Sequence, residues 1–303
     1  MELTGLIGKG IVVGDGAMGT ELQRAGLGIG ESGERWVLDH PERVEAIHRS
    51  YVEAGSQWVI TNSFGANRWV LDRYGLADRV EEINREAAAL ARRAAGGSAA
   101  VLGDIGPCGG FLRPLGDVDP GELEAAFQRQ AAALLEGGAD AIVIETMSAL
   151  EEVVSAVRAA RRAGARFVAA SLAFDRLPNG NLRTMMGVSP EQAARALAGE
   201  GADVVGANCG TRMGTGDFVQ VVKAFRGAAT LPVMVQANAG SPELEDGRAV
   251  YHLSPEAFTA GMLDVVAAGA GLVGGCCGTT PAHIAALAAA VRAFGRDEHG
   301  EPI

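Results

Sequence analysis

Residues 141–163 read AIVIETMSALEEVVSAVRAARRA. In this stretch a short apolar run stands directly before a helical pattern, and this arrangement is the clearest indication of the fold. The run Ala141–Glu145 is nearly continuous in Val and Ile, which is typical of a parallel strand buried on both faces. The stretch Leu150–Ala163 has the residue spacing of a helix. Together the two segments predict one βα unit.

The same unit recurs along the whole chain. Two helix starts are marked by an N-cap serine before a proline, at Ser189-Pro190 and Ser254-Pro255. Further helical patterns cover Gly121–Gly137 and Pro281–Phe294. Eight such units over 303 residues predict an α/β fold, a (β/α)8 TIM barrel that forms a single domain over residues 1–303. The eight predicted strands are Ile11–Gly14, Trp58–Thr61, Ala100–Gly103, Ala141–Glu145, Phe167–Ala173, Val204–Asn208, Val233–Ala237 and Leu272–Gly275.

A doubly wound open sheet is the alternative fold, because it shares the alternation of strands and helices. The turn Gly14–Gly19, GDGAMG, matches the G-x-G-x-x-G spacing of a dinucleotide-binding loop. That loop requires a compact βαβ unit of about 30 residues, whereas the next predicted strand begins only at Trp58. Asp15 would also place a carboxylate beside the pyrophosphate. The barrel is therefore favoured.

Composition and charge narrow the class of partner. A formal charge of −11 and an isoelectric point near 5.0 argue against a nucleic-acid surface, which needs clustered Lys and Arg. No apolar run approaches the roughly 18 residues of a membrane span. The segment Met1–Thr4 carries an acid and lacks the basic start of a signal peptide, and the charged tail after Phe294 is expected to fray. We expect a cytoplasmic protein that acts on small molecules.

Three of the four cysteines follow predicted strands. Cys209 follows the sixth strand, and Cys276 and Cys277 follow the eighth, at the end where a barrel gathers its active-site residues. Strands lie about 4.8 Å apart, so these three side chains could meet at one ion. Consecutive strand side chains point to opposite faces, and the flanking glycines would let the chain leave β geometry. A strained vicinal disulfide and small buried core residues are the alternatives.

The number and type of these ligands predict the kind of metal site. A structural zinc site is closed by four protein ligands, whereas a catalytic site holds three and leaves one position open. Thiolates favour zinc or a similarly soft ion, and an open position suits a substrate thiol, which loses its proton on coordination. The sequence therefore predicts a Zn²⁺ cofactor and a thiol that accepts a methyl group, with no catalytic residue beyond the metal site. The five histidines stand in helical or loop contexts and are not expected to be ligands.

The segment Val273–Pro281, VGGCCGTTP, resembles the most specific motif of the homocysteine S-methyltransferase family. This zinc-dependent family includes the betaine- and S-methylmethionine-dependent enzymes and the homocysteine module of cobalamin-dependent methionine synthase. The resemblance continues in family order over nearly the whole chain, at Asp15–Thr20, Thr61–Phe64, Gly106-Pro107, Glu145-Thr146, Gly206–Cys209 and Asn238–Gly240.

The resemblance implies a role for each matching residue. In the implied site, two acids hold the amino group of the substrate, and the backbone of one turn receives the substrate carboxylate. An asparagine approaches the metal when substrate is absent. An acid before a glycine is also a common turn residue, and a strand-end Glu can cap a neighbouring loop. The implied zinc ligands are Cys209, Cys276 and Cys277, and the implied substrate residues are the acids Asp15 and Glu145, the turn Gly16 and Ala17, and Asn238.

The implied reaction is methyl transfer to the thiol of homocysteine, which forms methionine. The donor stays open between S-methylmethionine, a betaine-like compound and a methylcorrinoid on a separate protein. Aromatic residues make up 5% of the chain, which leaves little material for the aromatic cage that a cationic donor favours. A non-catalytic zinc- or thiol-binding subunit of a corrinoid methyltransferase system and a methyltransferase for another small thiol are the functional alternatives. Cys108 is predicted to be a spectator thiol.

Overall fold

Eight parallel strands form the inner wall of the molecule in the computed structural model, which describes residues 5–245 and 247–294. The segment Met1–Thr4 and the tail predicted to fray lie outside the described residues. None of the helices described is both long and apolar enough to cross a membrane. The barrel strands are β1 (Val12–Val13), β2 (Trp58–Ile60), β3 (Ala100–Ile105), β4 (Ala141–Met147), β5 (Val168–Leu172), β6 (Val204–Asn208), β7 (Val233–Ala237) and β8 (Leu272–Gly275).

The helices lie outside the strands and connect them. Both predicted helix starts are confirmed: the Ser189 side chain accepts from the Gln192 N–H at 3.2 Å, and that of Ser254 from the Ala257 N–H at 3.3 Å. The helices are α1 (Gly19–Arg24), α2 (Trp36–Asp39), α3 (Pro41–Glu53), α4 (Arg68–Asp72), α5 (Val80–Ala95), α6 (Pro120–Glu136), α7 (Leu150–Arg162), α8 (Pro190–Gly199), α9 (Thr215–Ala228), α10 (Pro255–Ala267) and α11 (Pro281–Phe294), with a 3₁₀ turn at Ala77–Arg79.

The strands pair in the order β1-β8-β7-β6-β5-β4-β3-β2, so that β1 and β2 meet across a seam. At this seam the Gln57 N–H donates to the Val13 carbonyl at 2.7 Å, and the Gln57 side chain accepts from the Val13 N–H at 3.0 Å. Further along, the Asp15 carboxylate accepts from the Ile60 N–H at 2.7 Å. Side chains therefore complete the hydrogen bonding that closes the sheet. The predicted (β/α)8 barrel is confirmed, and the doubly wound alternative is wrong.

Apolar side chains pack in two layers on opposite faces of the strands. The inner layer fills the barrel with residues such as Trp58, Phe167 and Met234, all buried. The outer layer lies between strands and helices and includes Ile83 and Phe127. Successive residues of one strand alternate between these layers. The first positions of each strand fill the barrel with apolar groups, which leaves the carboxyl-terminal end of its interior for polar side chains.

Two hairpins in the loops after β5 and β7 were not predicted from the sequence. The first pairs Asp175–Arg176 with Leu182–Arg183, and the second pairs Glu243–Glu245 with Arg248–Val250. Their strands are two or three residues long and carry charged side chains, so they lack the apolar run by which the barrel strands were recognised. Both hairpins lie at the carboxyl-terminal end of the barrel.

Candidate metal and substrate site

The three cysteines after β6 and β8 come together at the carboxyl-terminal end of the barrel. Their sulfur atoms all lie within 4.8 Å of one another. The Sγ of Cys277 is 4.0 Å from that of Cys209 and 4.0 Å from that of Cys276. Zinc–sulfur bonds of about 2.3 Å in a tetrahedral arrangement place two sulfurs about 3.8 Å apart. The cluster therefore has the donor type and the spacing of a three-thiolate metal site.

After Cys276 and Cys277 the chain departs from β geometry at Gly278, as predicted, whereas Gly274 and Gly275 keep regular pairing in β8, contrary to the prediction. Gly278 has a φ of +79°, and a Cβ there would collide with the ring of Tyr251. A Cβ on Gly275 would collide with Thr279. The two adjacent sulfurs are 4.0 Å apart and both cysteines are free, so Cys276 and Cys277 are not joined by a disulfide in this structure. The glycines let consecutive cysteines present their sulfurs to the same point.

Asn208 at the end of β6 holds two strand ends together. Its side-chain oxygen accepts from the Thr146 N–H at 2.8 Å and from the Ser171 hydroxyl, and its nitrogen donates to the Thr146 hydroxyl at 2.7 Å. The same nitrogen lies 3.9 Å from the Sγ of Cys276. Thr146 and Cys209 both have positive φ angles, 60° and 58°. Such angles cost a non-glycine residue about 1 kcal/mol or more, so surrounding contacts must hold these two residues in place.

The two predicted substrate acids lie inside the same end of the barrel. Asp15 is 2% exposed, and burial raises the pKa of its carboxyl well above the usual range, although the hydrogen bond from Ile60 opposes this. Burial, and then the negative charge of Cys209, raise the pKa of Glu145 to about 7. The Gln236 side chain lowers the pKa of Glu145 by a hydrogen bond. The site therefore holds carboxyl groups that are costly to ionise until a cation arrives.

The turn predicted to receive the substrate carboxylate is tied to the cysteine loop. The Ala17 N–H donates to the Thr279 hydroxyl at 3.1 Å, and the Tyr51 hydroxyl donates to the Ala17 carbonyl at 2.8 Å. Thr279 in turn donates to the Cys276 carbonyl at 2.7 Å. A carboxylate bound by the Gly16–Ala17 backbone would have to share the Ala17 N–H with Thr279. The turn is thus fixed in position relative to the sulfur cluster.

Asn238, the remaining predicted substrate residue, lies beside Cys209. Its side-chain nitrogen donates to the Gly210 carbonyl at 3.1 Å, and its amide acts to lower the pKa of the Cys209 thiol. Its oxygen is buried and has no hydrogen-bond partner among residues 5–245 and 247–294. The structure therefore brings all eight predicted site residues to one end of the barrel.

A cavity of about 900 Å³ opens next to the sulfur cluster. It reaches Thr146 and Cys209 at its inner end, and its outer wall includes Phe111, Leu115 and Met185, which are half or more exposed. The loops after β3 and β5 form much of this wall. The cavity is large enough for a small molecule to approach the cysteines from the side of β4.

Two residues that contribute to the site, Tyr251 and Asn208, received no role in the sequence analysis. The Tyr251 side chain, in the loop after β7, packs against Gly278 and helps to lower the pKa of the Cys277 thiol. Asn208 was recognised as a strand-end residue, but nothing local shows that it bonds to residues 62 positions earlier. Cys108 is absent from the sulfur cluster. It is buried, and its N–H donates to the Glu152 carboxylate at 2.7 Å.

Comparisons with known proteins agree with this geometry. A profile of the family described as "Homocysteine S-methyltransferase" matches residues 12–291. The chain is 37% identical to the methionine synthase of Mycobacterium tuberculosis over 98% of its own length, but it spans 26% of that relative. It is 29% identical to betaine–homocysteine S-methyltransferase 1 of Rattus norvegicus, over 92% of this chain and 71% of the relative.

A solved structure has the same fold. The metallated form of the homocysteine methyltransferase MmuM from Escherichia coli superposes with a TM-score of 0.77 at 25% identity, covering 92% of this chain and 96% of that one. The sulfur cluster described above has a donor set suited to a metal, and this neighbour was solved with metal bound. The profile match covers most of the chain, and the chain belongs to the homocysteine S-methyltransferase family.

Proposed function

We propose that this chain transfers a methyl group to the thiol of homocysteine, forming methionine, at a zinc site held by Cys209, Cys276 and Cys277. One observation carries the proposal: three free thiols meet within 4.8 Å beside the buried acid Asp15 and the half-buried acid Glu145. Thiols make up the donor set of a soft metal, and carboxylates bind an ammonium group. Homocysteine carries both a thiol and an ammonium group. Family membership and the names of the relatives support the same reaction.

The residues present fit zinc, because three thiolates leave one tetrahedral position for a fourth ligand. When bound, zinc would lower the pKa of the substrate thiol so that a nucleophilic sulfur is available at neutral pH. Asn208 donates to the Cys276 sulfur at 3.9 Å, and Tyr251 lies beside the cysteine turn, so these two residues would fix the positions of the sulfurs. The spacing of the sulfurs would then be set by β6, β8 and the glycine turn together.

The other site residues would hold the amino-acid end of the substrate. Asp15 and Glu145 would accept hydrogen bonds from its ammonium group, and the Gly16–Ala17 backbone would receive its carboxylate. Asn238 would approach the metal from the side of Cys209 when substrate is absent. In the transfer itself the substrate sulfur forms a bond to the methyl carbon, and the electron pair of the breaking bond leaves with the donor. The residues of this chain orient the sulfur, and the donor supplies the leaving group.

The setting of the reaction is part of the proposal. The donor is S-methylmethionine, a betaine-like compound or a methylcorrinoid on a separate protein, and the cavity beside Cys209 is its path to the sulfur. Residues 1–303 act as one homocysteine-binding domain. Three thiols that must stay reduced suit the cytoplasm, and neither a nucleic acid nor a membrane is needed as a partner.

The test is a transfer assay with zinc-loaded protein, homocysteine and a panel of donors. The panel contains S-methylmethionine, betaine and a free methylcorrinoid, and methionine is the product measured. We expect methionine with at least one donor and one zinc per chain. Zinc and homocysteine binding without methionine from any donor would instead favour the non-catalytic subunit.

The matched variants are Cys276→Ala and Cys108→Ala. The first removes one thiol of the cluster, so zinc content and methionine formation should both be lost. The second removes a buried thiol outside the cluster, so both should persist. Full zinc occupancy after replacement of all three cluster cysteines by alanine would contradict the assignment of the site.

A further inference from the structure

Asp104 places a third carboxyl group inside the active end of the barrel. It lies on β3, where Ala100 and Leu102 belong to the inner apolar layer and Val101 to the outer one. Alternation along the strand therefore puts the Asp104 side chain on the inner face. It is 3% exposed. In register Asp104 pairs with Val143 of β4, so it lies one inward-facing position before Glu145, at the boundary between the apolar filling of the barrel and the predicted substrate acids.

The main chain of Asp104 is fixed by the loop after β2. Its N–H donates to the Thr61 hydroxyl at 2.9 Å, and its carbonyl accepts from the Ser63 hydroxyl at 2.8 Å. These bonds leave the carboxyl group unsatisfied: its Oδ1 is buried and has no hydrogen-bond partner within the described residues. A buried acceptor without a partner costs about 1–3 kcal/mol. Such a group calls for a ligand that donates to it.

The surroundings of Asp104 are acidic. Burial, and then the negative charges of Glu145 and Asp15, raise the pKa of its carboxyl well above the usual range. The Oδ1 of Asp15 is likewise buried and without a partner. Across the part of the chain that the structure describes, no Lys, Arg or His pairs with any of these three acids. Three carboxyl groups thus share one small space without a protein cation.

We propose that Asp104 is a third acceptor for the ammonium group of the substrate and a determinant of selectivity for amino-acid thiols. An ammonium group on a carbon has three N–H donors. Asp15, Asp104 and Glu145 supply three carboxyl acceptors on neighbouring or facing strands. The inference rests on the proposed homocysteine site and adds to it the residue that excludes thiols without an amine. A thiol that lacks the ammonium group would leave the buried Oδ1 atoms of Asp15 and Asp104 without a donor.

The test compares two thiols that differ in the amine alone. L-Homocysteine and 4-mercaptobutanoate have the same thiol and carboxylate, and their dissociation constants are measured by titration calorimetry on the zinc-loaded full chain. The wild type should bind homocysteine more tightly. Asp104→Asn keeps the shape but removes the negative charge, so its homocysteine affinity should fall about 10- to 100-fold while that for 4-mercaptobutanoate changes little, since hydrogen bonds to charged groups are the stronger ones.

Asp203→Asn is the matched control. This aspartate precedes β6 at the opposite end of the barrel, where its carboxylate accepts from the Val168 N–H at 2.7 Å and pairs with Arg161. It should leave the ratio of the two dissociation constants unchanged. Asp104→Ser, which removes the carboxyl group without adding bulk, gives a second measurement of the same ratio, and circular dichroism checks the fold of each variant.

The outcomes separate this inference from the proposed function. If the wild type prefers homocysteine and Asp104→Asn and Asp104→Ser keep that preference in full, the role of Asp104 is overturned while the homocysteine site stands. If the wild type binds both thiols equally, the proposed amine pocket itself is wrong, and the inference is wrong with it. A preference that collapses in the Asp104 variants and persists in Asp203→Asn supports the inference.

Discussion

Single residues at the strand ends decide whether the three sulfurs can meet. Thr146 and Cys209 adopt backbone angles that most residues avoid, at 60° and 58°. Such strain persists where surrounding contacts over-determine the conformation. Here the contacts come largely from Asn208, whose side chain satisfies the backbone and hydroxyl of Thr146 and reaches Cys276. The buried side chain of Asn208 thus links β4, which carries Glu145, to β6, which Cys209 follows.

Asn208→Ala should weaken both the fold and the metal site. The change leaves the Thr146 N–H and the Ser171 hydroxyl without their partner, so the free energy of unfolding should fall by about 2–3 kcal/mol. Zinc affinity should fall as well, because Cys276 loses a neighbour that positions its sulfur. Urea unfolding and zinc titration measure the two effects. Ser171→Ala, which removes one of the same contacts, should cost about 1 kcal/mol, and equal stability of Asn208→Ala and the wild type would contradict the role of Asn208.

Each helix or strand has an apolar face that packs in the core and a few polar residues whose role is specific to that element. In the barrel strands, the early positions fill the interior and the last ones carry function, as in β4, where Val143 is core and Glu145 faces the site. The seam between β1 and β2 is different, since Gln57 and Asp15 complete its hydrogen bonding. Helix α3 also departs from the pattern, because His48 is fully buried on its inner face.

His48 should make the protein sensitive to acid. Both ring nitrogens lack a hydrogen-bond partner among the described residues, and burial lowers the pKa of the ring to about 4. An unfolded histidine has a pKa near 6.5, so between pH 6.5 and 4 the unfolded chain binds more protons than the folded one. Stability is therefore lost as the pH falls through this window, by roughly 3 kcal/mol at its lower end.

The measurement is urea unfolding of the wild type and of His48→Leu at pH 7 and pH 4.5. Leucine is of similar size and cannot be protonated, so the variant should lose about 2–3 kcal/mol less than the wild type between the two pH values. The buried carboxyls act in both proteins and cancel in this difference. An equal loss of stability in the two proteins would mean that another group is responsible.

In the whole molecule, the apolar core of the barrel and the metal site lie in different places and stabilise different parts of the structure. Two apolar layers run around the entire sheet, and a chain of this length buries enough apolar surface to fold without a metal. The cysteines of the metal site stand at one end of this framework, and none of the three belongs to the apolar layers. The metal would therefore organise the site rather than the fold.

Removal of zinc by a chelator should abolish methyl transfer and leave the barrel folded. A site with one open position exposes its metal to competing ligands, whereas folding tied to the ion is the mark of a structural site. Circular dichroism should show the same secondary structure with and without chelator, and the melting temperature should fall by a few degrees at most. Added zinc should restore activity. Unfolding at room temperature after chelation would show that the ion holds the fold together.

The number of strands, their order along the chain and the residues that follow them can be predicted from the sequence alone. These follow from local patterns: a run such as Ala141–Glu145 is predicted from its own residues, and Gly278 after the two cysteines indicates a turn. The observed limits of a strand can differ from the predicted ones: β1 is Val12–Val13, whereas the sequence predicts Ile11–Gly14. The resemblance to a family then added roles that local patterns do not contain.

The contacts between side chains that are distant in sequence become visible in the folded barrel. Asn208 bonds to Thr146 from 62 residues away, Tyr251 reaches Cys277 from the loop after β7, and Asp104 lies with Asp15 and Glu145 on the inner face. The physical reason is that backbone propensity is local, whereas closure of the barrel sets side-chain distances between residues far apart in sequence. The closure of the barrel also determines which buried polar groups have no hydrogen-bond partner in the protein. Those groups in turn determine which ligands can bind.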